Sequence, residues 1–181
     1  MATDYEAVIA SLAAKDEIRD LVVAYCNAND RRDFAKLRTL YHVGALDEHG
    51  FNKTGTVAEF FDGLPALVAK ASVMQHNVSN HSIRVDGDYA EGECYVVAYH
   101  LWEDPQGDYE VVLGGRYLDK YERREGAWKF RHRRVVGDWL RIFSGGVNQL
   151  DHPKAGGMYR GRKDDQDPSY SFFRLFQRGQ R

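Results

Sequence analysis

His76 stands in the stretch Val73 to Asp86, VMQHNVSNHSIRVD, where residues suited to a strand keep alternating with polar ones. Strand side chains point to opposite faces with a period of two. On that count Met74, His76, Val78, Asn80 and Ser82 share one face, and Val73, Gln75, Asn77, Ser79, His81, Ile83 and Val85 share the other. A strand covering a solid core shows one clean apolar face, whereas this one sets an imidazole and an amide beside Met74 and Val78, as a pocket wall would. A hydrogen-bonded structural histidine fits the same pattern. The second ionisable group is Asp30. Ile18, Leu21, Val22 and Tyr25 carry helical spacing, and steps of four from Val22 lead to Cys26 and then Asp30, which falls in line with the apolar face where the helix ends. A carboxylate there opposes the helix macrodipole and needs partners if buried. Pairing with Arg31 or Arg32, or capping the next helix, is the alternative. Tyr25 lies about one turn earlier on a similar face. Arg133 belongs to a basic run, Lys129 to Arg134, inside a strand-like segment. Alternation sends Arg131 and Arg133 to one side and His132 and Arg134 to the other. An arginine facing a pocket would hold a carboxylate or a departing anion; a charged edge strand is the alternative. With His76, Asp30, Tyr25 and Arg133 as candidates, the chemistry is acid–base chemistry by side chains.

Other chemistries find little support. The seven histidines lie on different elements, and neither Cys26 nor Cys94 has a neighbour at metal-ligand spacing, so no metal and no cofactor is expected. Gly114-Gly115 sits inside a strand and reads as a bulge or bend rather than a phosphate loop. There is no G-x-S-x-G elbow. A formal net charge of -2 gives no electrostatic reason to expect nucleic acid or an acidic membrane. With no apolar run of membrane-spanning length and no leader pattern, a cytoplasmic protein is the expectation. Aromatics make up 13% of the chain and several fall in strand-like segments, which suits a pocket for a ring-bearing ligand. Tyr99, Tyr117 and Trp139, with Asn80, are the candidate substrate contacts.

These residues need elements to position them. The 181 residues suit one domain, with a core over about 13–143 and a loop-rich extension over 144–181. The first helix runs from Asp4 to Asn29, with a restart near Lys15. Asp33 caps a short helix, and Thr56 with Glu59 forms a capping box for a third that Pro65 should kink or split. Four long strands follow, Val73–Val85, Ala90–Trp102, Tyr109–Arg123 and Ala127–Phe143, joined by hairpins. Helices first and an antiparallel meander afterwards indicate an α+β fold with the helices on one face of a curved sheet. Phe172, Phe173 and Phe176 in the extension need burial against the domain or a neighbouring subunit.

The helix DEIRDLVVAYCNAND, the strand QHNVSNHSIRVDGDYAEGECYV and the hairpin GGRYLDKYERREGAWKFRHRRV resemble the SnoaL-like branch of the nuclear-transport-factor-2-like superfamily over roughly 13–143. The resemblance implies a cone-shaped barrel, a strongly bent and mainly antiparallel sheet whose N-terminal helices close a pocket. Members include a hexachlorocyclohexane dehydrochlorinase, bile-acid and scytalone dehydratases, polyketide cyclases and non-catalytic binding domains. It further implies that Asp30 and His76 match a family Asp–His dyad, that Arg133 matches a pocket arginine, and that Tyr25 matches the tyrosine of the bile-acid dehydratase where the dehydrochlorinase has a lysine. The expectation is a cofactor-independent lyase or dehydratase acting on a hydrophobic, ring-containing small molecule. His76 would be the base, Asp30 its orienting partner and Tyr25 the acid. A binding module without turnover, or an isomerase or cyclase, is the rival, and a pocket filled by the protein's own aromatics would favour binding alone. A homotrimer is expected, with the outer sheet face in contact.

Overall fold

The structure is a computed structural model that describes residues 3–50, 54–146, 148–175 and 178–179. Asp4 accepts from the Ala7 N–H and starts helix α1, Tyr5–Asp30, which continues through Lys15 without the expected restart. Its apolar stripe buries Ile18, Leu21, Val22, Tyr25 and Cys26. Asp33 caps the short helix α2, Phe34–Thr39. Strands β1, Tyr41–Glu48, and β2, Thr54–Thr56, lead into α3, Val57–Val68, which opens on the reciprocal Thr56–Glu59 capping box. Pro65 lies inside α3 and does not split it; Val57, Phe61, Leu64 and Val68 hold that helix to the core.

Four long strands make most of the sheet: β3, Ala71–Asp86; β4, Tyr89–Trp102; β5, Tyr109–Arg124; and β6, Ala127–Ser144. The order is β2-β1-β6-β5-β4-β3, antiparallel except where β1 runs parallel to β6. The result is a curved, unclosed α+β sheet with α1 laid across β3 and α3 across β1 on its concave face.

Two irregularities change which side chains face the interior. In β3 the register slips between Ser79 and Ser82, and Asn80 takes a left-handed φ of 48°. Strict alternation therefore fails at Asn80: Met74, His76 and Val78 face inward, and after the bulge Ile83 and Val85 do so. In β6 a second slip skips Arg131, so that Phe130 and Arg133 both point inward and Arg131 stays in solvent. Gly115 sits at a third slip in the register, where an added Cβ would lie 2.2 Å from the Val136 carbonyl oxygen.

The extension is not a plain loop. It forms short 3-10 turns at Gln149–Asp151 and Pro153–Ala155 and a one-turn helix α4, Pro168–Phe172, and it folds back on the C-terminal end of α1. Buried Asp167 holds it there, accepting from the Arg162 and Ser169 N–H groups at 2.8 and 3.0 Å and facing Arg31. Phe172 remains 81% exposed, so its expected burial is not seen within the chain; Phe176 lies outside the described residues. Among the described residues no helix is long and apolar enough to cross a membrane.

Candidate active site

Asp30 is the last residue of α1, where an anion is poorly placed for the helix dipole. Strand β3 supplies the compensation. Asp30 Oδ1 is 2.6 Å from His76 Nδ1, and Oδ2 accepts from the His76 backbone N–H at 3.0 Å. Two hydrogen bonds from one residue lock the carboxylate against the strand and direct the other ring nitrogen, Nε2, away from it. Nε2 has no hydrogen-bond partner among the described residues. The alternatives for Asp30 are taken by others: Arg31 faces Asp167, Arg32 donates to the Val68 and Ala71 carbonyls, and Asp33 is the cap.

His76 and Asp30 line a cavity of about 700 Å³ between the end of α1, the start of β3 and the extension, with Met74, Asn148, Leu150 and Lys163 in its wall. Another cavity, of about 500 Å³, lies on the opposite, convex face around Arg84, Glu93 and Arg134 and holds neither dyad residue. Sequence reasoning missed His100. It lies one strand away, opposite Met74, with its ring 5.2 Å from that of His76 and 5.7 Å from Trp102. Burial, then the charge of His76, pulls its pKa from 6.5 down to about 4, so it is neutral near pH 7. The signal was present in the pairing of two inward positions on adjacent strands, but register cannot be read before the hairpin is placed.

The remaining predicted site residues are not in that cavity. Tyr25 is buried in the cone, its hydroxyl 3.1 Å from His49 Nε2; His49 pairs through Nδ1 with Asp47, which also accepts from Tyr41 at 2.9 Å. Burial pushes the Tyr25 phenol far above its ordinary pKa, with Arg133 opposing and Asp47 adding to the rise. Arg133 does face inward, but its Nε and one terminal nitrogen donate to Asp119 at 2.8 and 2.7 Å, and both side chains are buried. Its guanidinium lies 4.1, 4.0 and 4.2 Å from the ring centres of Tyr25, Tyr117 and Phe130. Tyr117 thus packs an ion pair instead of lining the dyad cavity. Tyr99 and Trp139 point to the convex face, opposite Gln75 and Gly114, and Trp139 is 50% exposed. Asn80 is exposed on the bulge. Among the described residues no group of three or more His, Cys, Asp and Glu side chains could hold a metal.

This architecture has known relatives. The model of the SnoaL-like domain matches residues 10–134, and the chain belongs to that family. Among solved structures, hexachlorocyclohexane dehydrochlorinase LinA-type3 from Novosphingobium barchaimii superposes with a TM-score of 0.67 at 22% identity, covering 76% of this chain and 96% of that one. A protein of Novosphingobium aromaticivorans provisionally assigned as a scytalone dehydratase gives 0.66 at 21% identity, over 76% of this chain and 91% of the other. At these identities the likeness shows the fold alone. No curated protein matches by sequence. The family match ends at residue 134, so the extension that closes the dyad cavity lies beyond it.

Proposed function

We propose that the protein is a cofactor-independent lyase of the dehydratase kind, eliminating water from a hydrophobic, ring-containing small molecule held beside His76. The observation that supports this is the 2.6 Å Asp30–His76 contact at an open cavity, with one imidazole nitrogen held and the other without a hydrogen-bond partner among the described residues. Histidine with an ordinary pKa of about 6.5 can take a proton near neutral pH. In this reading His76 Nε2 removes a proton from the carbon next to an activating group, and Asp30 fixes the tautomer and stabilises the imidazolium. The same imidazolium returns the proton to the leaving oxygen as the C–O bond breaks, so water departs, a double bond forms and His76 ends neutral. Tyr25 is not assigned the acid role: its hydroxyl is bound to His49, and burial makes the phenol reluctant to ionise. Arg133 and Tyr117 are assigned to holding the cone.

A binding role without turnover has its own support, because Tyr25, Tyr117 and Phe130 fill the cone around Arg133. Turnover separates the two. His76→Ala and Asp30→Asn should each lower kcat by about 10²-fold or more with folding retained, whereas a binding module would turn over nothing. Hexachlorocyclohexane dehydrochlorinase sits among the structural relatives, so halide loss belongs in the same screen. We also propose a homo-oligomer, a trimer, joined through the convex face. Tyr95, Val97 and Trp139 lie in one exposed patch there.

A further inference from the structure

We propose that Lys163, in the wall of the dyad cavity, and Arg32, which meets it at the Ala71 carbonyl, form a binding site for a substrate carboxylate, making the substrate an anionic ring compound. The inference rests on the elimination reading only for where the reacting carbon sits. Lys163 comes from the extension and lines the cavity with His76. Its Nζ donates to the Ala71 carbonyl at 3.2 Å, and Arg32 donates to that same oxygen. Two cations thus converge on one neutral acceptor at the first residue of β3.

The other charges around the cavity are matched. Asp30 is taken by His76, Asp164 by Arg162 at 2.7 Å, and Asp167 by Arg31 and two backbone N–H groups. Among the described residues no carboxylate makes an ion pair with Arg32 or Lys163. Glu103 acts on both only at longer range. Arg32 Nε is buried without a hydrogen-bond partner. Arg32 itself takes a left-handed φ of 53° because it ends helix α1, its N–H and that of Asp33 donating to the Asn29 and Ala28 carbonyls. Burial lowers the pKa of each, and Arg32 adds to the fall at Lys163. An anion laid across the pair would relieve their repulsion. A carboxylate suits it better than a phosphate, because Asp164 and Asp167 stand nearby and would repel a dianion.

The test uses cinnamate and its neutral isostere cinnamamide, titrated into the full-length protein by calorimetry. Wild type should bind cinnamate about fivefold or more tightly than the amide, with the preference shrinking as salt is added. Lys163→Met, at an exposed position, should abolish the preference without weakening the amide, and Lys163→Arg should keep it. Arg32→Met should act alike, with circular dichroism reporting its fold. Equal affinity for the two probes, binding of neither, or a preference intact in Lys163→Met overturns the site. This binding readout needs no turnover, so a failed mechanism and a failed anion site are told apart.

Discussion

Four polar side chains divide between two tasks. Asp30 and His76 meet at an open cavity, while Asp119 and Arg133 meet inside an aromatic cage where solvent does not reach. Removing a partner from a buried pair leaves the other charge desolvated and costs about 3–5 kcal/mol. Arg133→Met is therefore expected to lower unfolding free energy by that order, read from a denaturant midpoint. A variant of normal stability with lost turnover would move Arg133 to the active site. The sequence showed that Asp30, at a helix terminus, needed a partner, but only the family resemblance named His76 as the group it meets. The fate of Arg133 was not legible: an inward arginine looks the same whether its anion is a ligand or Asp119, fourteen residues earlier in the neighbouring strand. For Tyr25, likewise, helical spacing gives its face but not that His49 meets its hydroxyl there.

At the scale of elements, strand ends and caps were readable from Asp33, Thr56, Glu59 and the hairpin glycines, because these act through local backbone chemistry. Bulges were not. One extra residue at Asn80 reverses the facing of everything after it in β3, and no local residue type announces the slip. Gly114 and Gly115 test how far sheet geometry depends on a missing Cβ. In Gly115→Ala the new methyl meets the Val136 carbonyl, a backbone atom that cannot swing aside, so a loss of about 1–3 kcal/mol is expected by thermal or chemical melting. In Gly114→Ala the nearest atoms to the new methyl belong to the half-exposed Trp139 ring, a side chain that can move, so the variant should cost less while changing tryptophan fluorescence. Equal losses in the two variants would remove the bend from Gly115.

For the whole molecule, acid sensitivity follows from histidines kept neutral by burial. His100 titrates near 4 when folded and near 6.5 when unfolded, and burial also lowers His81. Between those pH values the unfolded chain binds protons that the folded one does not, so stability falls as pH drops from about 6.5 toward 4. His100→Asn should flatten that slope in pH-dependent melting, and an unchanged slope would assign it elsewhere. The convex patch should make the protein a trimer in solution; light scattering that finds a monomer at micromolar concentration removes that interface. The proposed elimination at His76 is tested most directly by mass spectrometry of cyclic alcohols incubated with wild type and His76→Ala. Wild type is predicted to convert at least one of them to a product lighter by one water, and His76→Ala to do so at least about 10²-fold more slowly. A variant that forms the same product at near-normal rate would contradict the assignment of His76 as the base.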